Sequence, residues 1–381
     1  LSGFPESEQS VIFNHQLSAA SILDGFIIQG GETSSGGGIL NDEASPTLRN
    51  LWIRNNKAAW GGGIHNANGS SPGITDVEIS DNIGEYSGGG ILNGEDSNPV
   101  LTRVVIRDNS VTALPIGGGV VGGGGIFHQS GGMLKLTEVT VADNTSNSDA
   151  GGIYLADESS ALYLENCHIL GNTAQRNGGG LYLHQASATA TVVNTVMGDN
   201  QAQQGGGIYN DGNLILLNTT LAANKAANGG GVYHARASVA ADIENSIISG
   251  NYKADGATVD DVYNNGSGES VRKYSYNIVT GCGGSGSWNE TYGVDGGGNV
   301  DRDADFLSID RTSADYLRLG ACSPAIDGGS GELYENRERD LALDSDAGGN
   351  TRLFGSSIDM GAHERQMPPS NTVAVPAAGT Y

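Results

Sequence analysis

Gly205–Tyr233 reads GGGIYNDGNLILLNTTLAANKAANGGGVY, and it begins and ends on the same motif. A glycine cluster followed by an aliphatic residue recurs at Ile39, Ile64, Ile91, Ile126, Ile153, Leu181, Ile208 and Val232. The intervals are 25, 27, 35, 27, 28, 27 and 24 residues. A second mark keeps the same period. An Asn closes each apolar run, at Asn56, Asn82, Asn109, Asn144, Asn172, Asn200, Asn224 and Asn251. Two independent marks with one period define a repeat architecture.

The residues inside each repeat say what the unit is. Three positions before each closing Asn stand Ile53, Ile79, Ile106, Val141, Ile169, Met197, Leu221 and Ile248. Five before stand Leu51, Val77, Val104, Val139, Cys167, Thr195, Thr219 and Ser246. The two columns are two residues apart, so they share one face of a strand. A Gly-rich or Asn/Asp-rich breaker follows about every eight residues, which leaves no room for ordinary helices. Short strands, tight corners and a fixed period predict an all-β fold, a right-handed parallel β-helix of about ten to twelve coils. Equivalent residues then stack about 4.8 Å apart and bury together what no single coil can bury. The closing Asn column reads as a row of corners, as do Asn50, Asn166, Asn194, Asn218 and Asn245 six positions before closing residues. Asn tolerates the left-handed conformation, and its amides bond along a stack.

Composition narrows the function. The chain has 381 residues, 61 of them Gly, and a net charge of −24. Such a charge repels nucleic acid and anionic membranes. No apolar run approaches the length of a membrane span. Three cysteines are too few for a disulfide framework. Cys167 falls in the inward column, while Cys282 and Cys322 are available to pair in an oxidising compartment.

Residues 1–321 are read as the β-helix, regular over 12–251 and degenerate over 252–321. The interval from Ile91 to Ile126 is long, and the surplus, ALPIGGGVV at Ala113–Val121, is expected to bulge as a loop. Residues 322–364 are read as a C-terminal cap. Residues 365–381, Pro/Ala/Thr-rich, are read as a flexible tail leading to an anchor outside this chain. Within the cap, CSPAIDGGS (Cys322–Ser330), DSDAGGNTR (Asp344–Arg352) and GSSIDMGAHE (Gly355–Glu364) resemble the end motifs of bacterial choice-of-anchor Q surface proteins. LDGFIIQGG (Leu23–Gly31), IENSIISGN (Ile243–Asn251) and GNVDRDADF (Gly298–Phe306) match coils of the same family. The resemblance implies a β-helix, export and display at the cell surface.

One residue after each aliphatic mark lies a column of Leu40, His65, Leu92, Phe127, Tyr154, Tyr182, Tyr209 and Tyr233. Its neighbours point inward, so it points outward. Phe127, Tyr154, Tyr182, Tyr209 and Tyr233 are therefore the candidate ligand contacts, as a ladder of rings for the apolar faces of sugars. Stacked rings equally stiffen parallel coils by packing against one another. Asp344, Asp346 and Asn350 open an acidic loop with Gly349 at its sixth place, a pattern suited to calcium. The expected partner is an extracellular polysaccharide or another cell-surface molecule, with self-assembly through open strand edges as a further route. The function expected is a secreted or cell-surface structural or adhesive protein. The alternative is a polysaccharide lyase or glycoside hydrolase. A lyase needs a cluster of cations, and this sequence shows none. A hydrolase needs paired carboxylates. Asp76, Glu78, Asp81 and Asp108 lie on adjacent repeats, but no catalytic set is assigned.

Overall fold

Each repeat folds as one coil of short strands joined by tight corners. The coil that starts at Ile64 shows the plan, with strands Ile64–Ala67, Gly73–Thr75, Glu78–Ser80 and Ile83–Ser87. Corresponding strands of successive coils pair in parallel and in register, as in Ile64↔Ile91, Ile74↔Leu101, Ile79↔Ile106 and Ile83↔Ser110. The computed structural model describes residues 1–2, 9–114, 121–129, 131–266 and 271–366. Among these, three long sheets hold 10, 11 and 10 strands, and shorter sheets of six and two strands complete the fourth side. About ten coils stack, in agreement with the period of the sequence.

We call the sheets first to fourth, in the order in which the coil starting at Ile64 visits them. The aliphatic mark after the glycines heads the first sheet and points inward, from Ile39 to Val232. The columns eight, five and three places before the closing Asn also face the interior. Hydrophobic burial along one continuous lumen is the driving force.

The corners explain the two other marks. Gly88, first of its cluster, has φ +65°, and a Cβ on Gly90 would lie 2.7 Å from the Gly125 carbonyl oxygen. One glycine is therefore required by conformation and the other by the closeness of the next coil. The closing asparagines occupy a different place from the one expected. The left-handed residue is the one before, as at Asn55, Asp81, Asp108, Asp143 and Asp199. This turns the closing Asn side chain inward, where it forms a buried ladder. Asn82 Nδ2 donates to Asn109 Oδ1 at 3.0 Å, Asn109 to Asn144 at 3.0 Å and Asn144 to Asn172 at 3.0 Å. Asn144 Nδ2 also donates to the Ile106 carbonyl at 2.9 Å, and Asn144 Oδ1 accepts from the Asn109 backbone N–H at 3.0 Å. A row of buried polar groups is thus fully paired by its own copies. The ladder runs to Asn251, whose amide donates to Asp261 Oδ1 at 2.8 Å. The other expected corners hold as stated: Asn50, Asn166, Asn194, Asn218 and Asn245 all have φ between 47° and 53°.

The stretch read as a cap lies on the flank. Residues from Arg311 to Glu364 lie across the outside of the third sheet and its corners: Arg311 pairs with Asp143 and the Tyr316 hydroxyl donates to Asp199, both just after third-sheet strands, and the later part reaches the corner between the second and third sheets. Asn194 Nδ2 donates to the Ser345 carbonyl at 2.9 Å, Asn218 Nδ2 to the Asp359 carbonyl at 2.9 Å, and Asn245 Nδ2 to the Ser330 carbonyl at 2.9 Å. The end of the lumen is closed instead by Trp288 and Tyr292 against Tyr274 and Cys282. The physical reason is that the corner asparagines offer outward amides along the side of the stack. All three cysteines are free thiols: Cys167 and Cys282 are buried and Cys322 is exposed, so Cys282 and Cys322, which the sequence left available to pair, are not joined. Most of the Ala113–Val121 insertion (115–120), and the tail from 367, lie outside the described residues.

Candidate functional site

The aromatic column forms on the outer face of the first sheet. Register pairs Phe127↔Tyr154, Tyr154↔Tyr182, Tyr182↔Tyr209 and Tyr209↔Tyr233. Adjacent ring centroids are 5.0, 4.8, 4.7 and 5.0 Å apart. Tyr263 continues the file at 5.2 Å. The sequence reading missed it because no glycine cluster precedes it. The rings are not laid bare as a sugar platform requires. Tyr154 is 2% exposed and Tyr182 6%, with Ala150 and Ala156 packed against them. His184 also stacks beside Tyr154 and Tyr182, at 5.8 and 5.5 Å. Burial raises the pKa of both phenols, and pushes Tyr209 up to about 12. The middle of the file is thus a second, external core. Tilted and edge-on pairs such as Tyr182–Tyr209, at 86°, fit that packing role.

The file opens at its head. A cavity of about 390 Å³ is lined by Trp60, His65, Ser87, Leu92, Phe127, Gln129, Ala156 and Asp157. Its floor is the upper part of the predicted column: His65, Leu92 and Phe127. One wall, Trp60 and Ser87, comes from the ends of the fourth-sheet strands Lys57–Trp60 and Ile83–Ser87. The opposite wall, Gln129, Ala156 and Asp157, comes from the turns that follow the first sheet. Trp60 is 43% exposed and stacks on exposed Tyr86 at 5.1 Å between centroids.

One polar group of this region is buried and a second is half-buried. Ser87 is 1% exposed, and its hydroxyl has no hydrogen-bond partner among the described residues. His65 Nδ1 lies 2.5 Å from Ser35 Oγ. Burial lowers the His65 pKa to about 4, outweighing the opposing pull of Asp42, so the ring is neutral at neutral pH. A signal for the wall was present in the sequence. Ser35, Trp60 and Ser87 each stand immediately before a glycine cluster, and they fall in register with one another.

The acidic loop is placed apart from this cavity. Asp344 faces Arg339 Nε at 2.9 Å and accepts from the Tyr334 hydroxyl at 3.1 Å. Asp346 accepts from the backbone N–H groups of Gly348, Asn350 and Glu364 at 2.9, 2.7 and 2.8 Å. The Asn350 amide also turns toward Asp346. Asp344 and Asp346 thus accept from groups of the protein itself and Asn350 donates its amide to Asp346, and among the described residues no three His, Cys, Asp or Glu converge in a metal-holding group. Of the four carboxylates weighed for hydrolysis, Asp76, Glu78 and Asp108 are engaged with cations. Asp76 pairs with Arg103 at 2.7 Å, and Glu78 and Asp108 both pair with Arg107, at 2.6 and 2.5 Å.

A family model described as a right handed beta helix region matches residues 12–169. The chain is a right-handed parallel β-helix. The β-helix is also similar to a solved structure, the crystal structure of pectate lyase Pel9A, at 13% identity and a TM-score of 0.42. That likeness covers 90% of this chain and 73% of the other. No curated protein matches the sequence. No helix of the β-helix's described residues is long and apolar enough to cross a membrane.

Proposed function

We propose that this β-helix is a secreted or cell-surface protein with a structural or adhesive role, and that it contacts carbohydrate at the head of its aromatic file. The observation that carries this reading is the cavity bounded by Trp60, Leu92 and Phe127, with the exposed Trp60–Tyr86 pair at its rim. Exposed aromatic faces match the apolar face of a pyranose, while polar groups beside them match its hydroxyls. The resemblance to exported surface proteins and the net charge of −24 support the location. The carbohydrate contact is thereby assigned to the upper end of the predicted column and not to its buried middle.

The test is a glycan array probed with the labelled chain, followed by sizing of each bound glycan after incubation. Retention of a glycan at unchanged length is the expected result. Release of unsaturated or reducing ends would replace the reading with a lyase or hydrolase. Antibody labelling of intact producing cells tests the location, and signal only after lysis would refute it.

A further inference from the structure

We infer that the cavity at Trp60 takes an uncharged pyranose unit and rejects a uronate. This deepens the carbohydrate reading and rests on it. The lining supplies apolar surface on two sides, from Trp60 on one wall and Leu92, Phe127 and Ala156 below and opposite. Between them are the Ser87 hydroxyl, His65, Gln129 and Asp157. Ser87 is the observation that points to a ligand. A hydroxyl that is 1% exposed and lacks a partner among the described residues is costly unless something else bonds it. A sugar hydroxyl, which donates and accepts, answers that need.

Charge sets the class of sugar. Among the lining residues there is no Lys or Arg, and the one ionisable carboxyl is Asp157. The nearest imidazole, His65, is half-buried and held by Ser35. A uronate carboxylate placed here would meet a like charge and no cation, and desolvating it would be unfavourable. The arginines that might have served it are engaged elsewhere: Arg49 with Asp24, Arg103 with Asp76, Arg107 with Glu78 and Arg176 with Asp149. An uncharged ring loses nothing by comparison, and Asp157 can accept from its hydroxyls.

The test uses the full chain and titration calorimetry with three probes: cellotetraose, tetra-N-acetylchitotetraose and tetragalacturonate. Circular dichroism verifies the fold of each variant. At least one uncharged probe is expected to bind, and tetragalacturonate at least tenfold more weakly. Trp60→Ala should weaken the uncharged probe tenfold or more, Ser87→Ala severalfold, and Asp157→Asn should narrow the gap to tetragalacturonate. Tetragalacturonate binding as tightly, and lost in Trp60→Ala, would overturn the uncharged-sugar inference while leaving carbohydrate binding intact. Uncharged binding that Trp60→Ala does not change would overturn the location. Binding of none of the three would overturn both the inference and the reading beneath it.

Discussion

The closing Asn does two jobs at one position: it fills the inner side of a corner, and it bonds to its copy in the next coil. Asn144 receives from Asn109 and gives to both Asn172 and the Ile106 carbonyl, all in the interior. Asn144→Ala takes the acceptor from the buried Asn109 amide donors and the donor from Asn172 Oδ1 and the Ile106 carbonyl. We expect a loss of about 2–4 kcal/mol in urea unfolding, the penalty of unpaired buried polar groups. A loss within about 0.5 kcal/mol would mean that water replaces the amide. At the far end of the same ladder, burial raises the carboxyl of Asp261 to about 7. The unfolded chain ionises this group near the ordinary value of about 3.9. Between those values the folded state holds the extra proton, so this group's contribution to stability falls as pH rises from about 4 to about 7. Asp261→Asn removes that loss. Its thermal stability should match the parent near pH 4 and exceed it by about 2–4 kcal/mol at pH 8. A difference between the two proteins that is flat with pH would contradict this account.

At the scale of elements, the flanking segment is held by hydrogen bonds and ion pairs more than by a shared lumen. Arg352 is fully buried within it and donates to the carbonyls of Asp359, Gly361 and Ala362 at 2.7, 2.8 and 3.3 Å. Arg337 bridges to Asp242 and Glu244 of the second sheet at 3.1 and 3.0 Å, and Arg339 pairs with Glu165. Arg352→Ala removes three buried hydrogen bonds at once and should loosen the segment locally. Hydrogen exchange is expected to speed at least tenfold over residues 344–364, while the coils from Ile39 to Asn172 keep their protection. Equal loss of protection in those coils would show that the flank and the stack unfold as one unit. The docking strip has a sequence trace. After Asn50 in the first of these corners, the left-handed residue is Asp76, Arg103 and Glu138, and it is Asn again, at Asn166, Asn194, Asn218 and Asn245, where the segment lies. An amide can donate outward to a passing carbonyl, whereas a carboxylate only accepts.

At the scale of the whole molecule, each coil is supported by its two neighbours and the ends need separate cover. Trp288 supplies it at one end: it packs with Tyr274 and Tyr292 and anchors its indole N–H on the Gly293 carbonyl at 2.7 Å. Trp288→Ala, removing a partly buried ring, should cost about 3 kcal/mol, with opening confined to the coils after Asn224. Exchange rates resolved by coil provide the check, and uniform opening from Ile39 onward would exclude nearest-neighbour behaviour.

Period, inward columns, register and the aromatic file were all legible from the residues, because in a stack of equal rungs sequence spacing is spatial spacing. Asn144 above Asn172, or Tyr154 above Tyr182, follows from counting alone. Burial of that file did not follow. Whether an outward ring meets solvent depends on turns such as the one carrying Ala156, whose path no periodicity encodes. The same holds for the cavity, whose walls at Trp60 and Asp157 come from different coils, and for the course of residues after Arg311, which contact Asp143, Asp199 and Glu165 far earlier in the chain. Local repetition determines what stacks on what. Only the tertiary structure decides what lies across the outside, because that depends on contacts between segments that share no repeat.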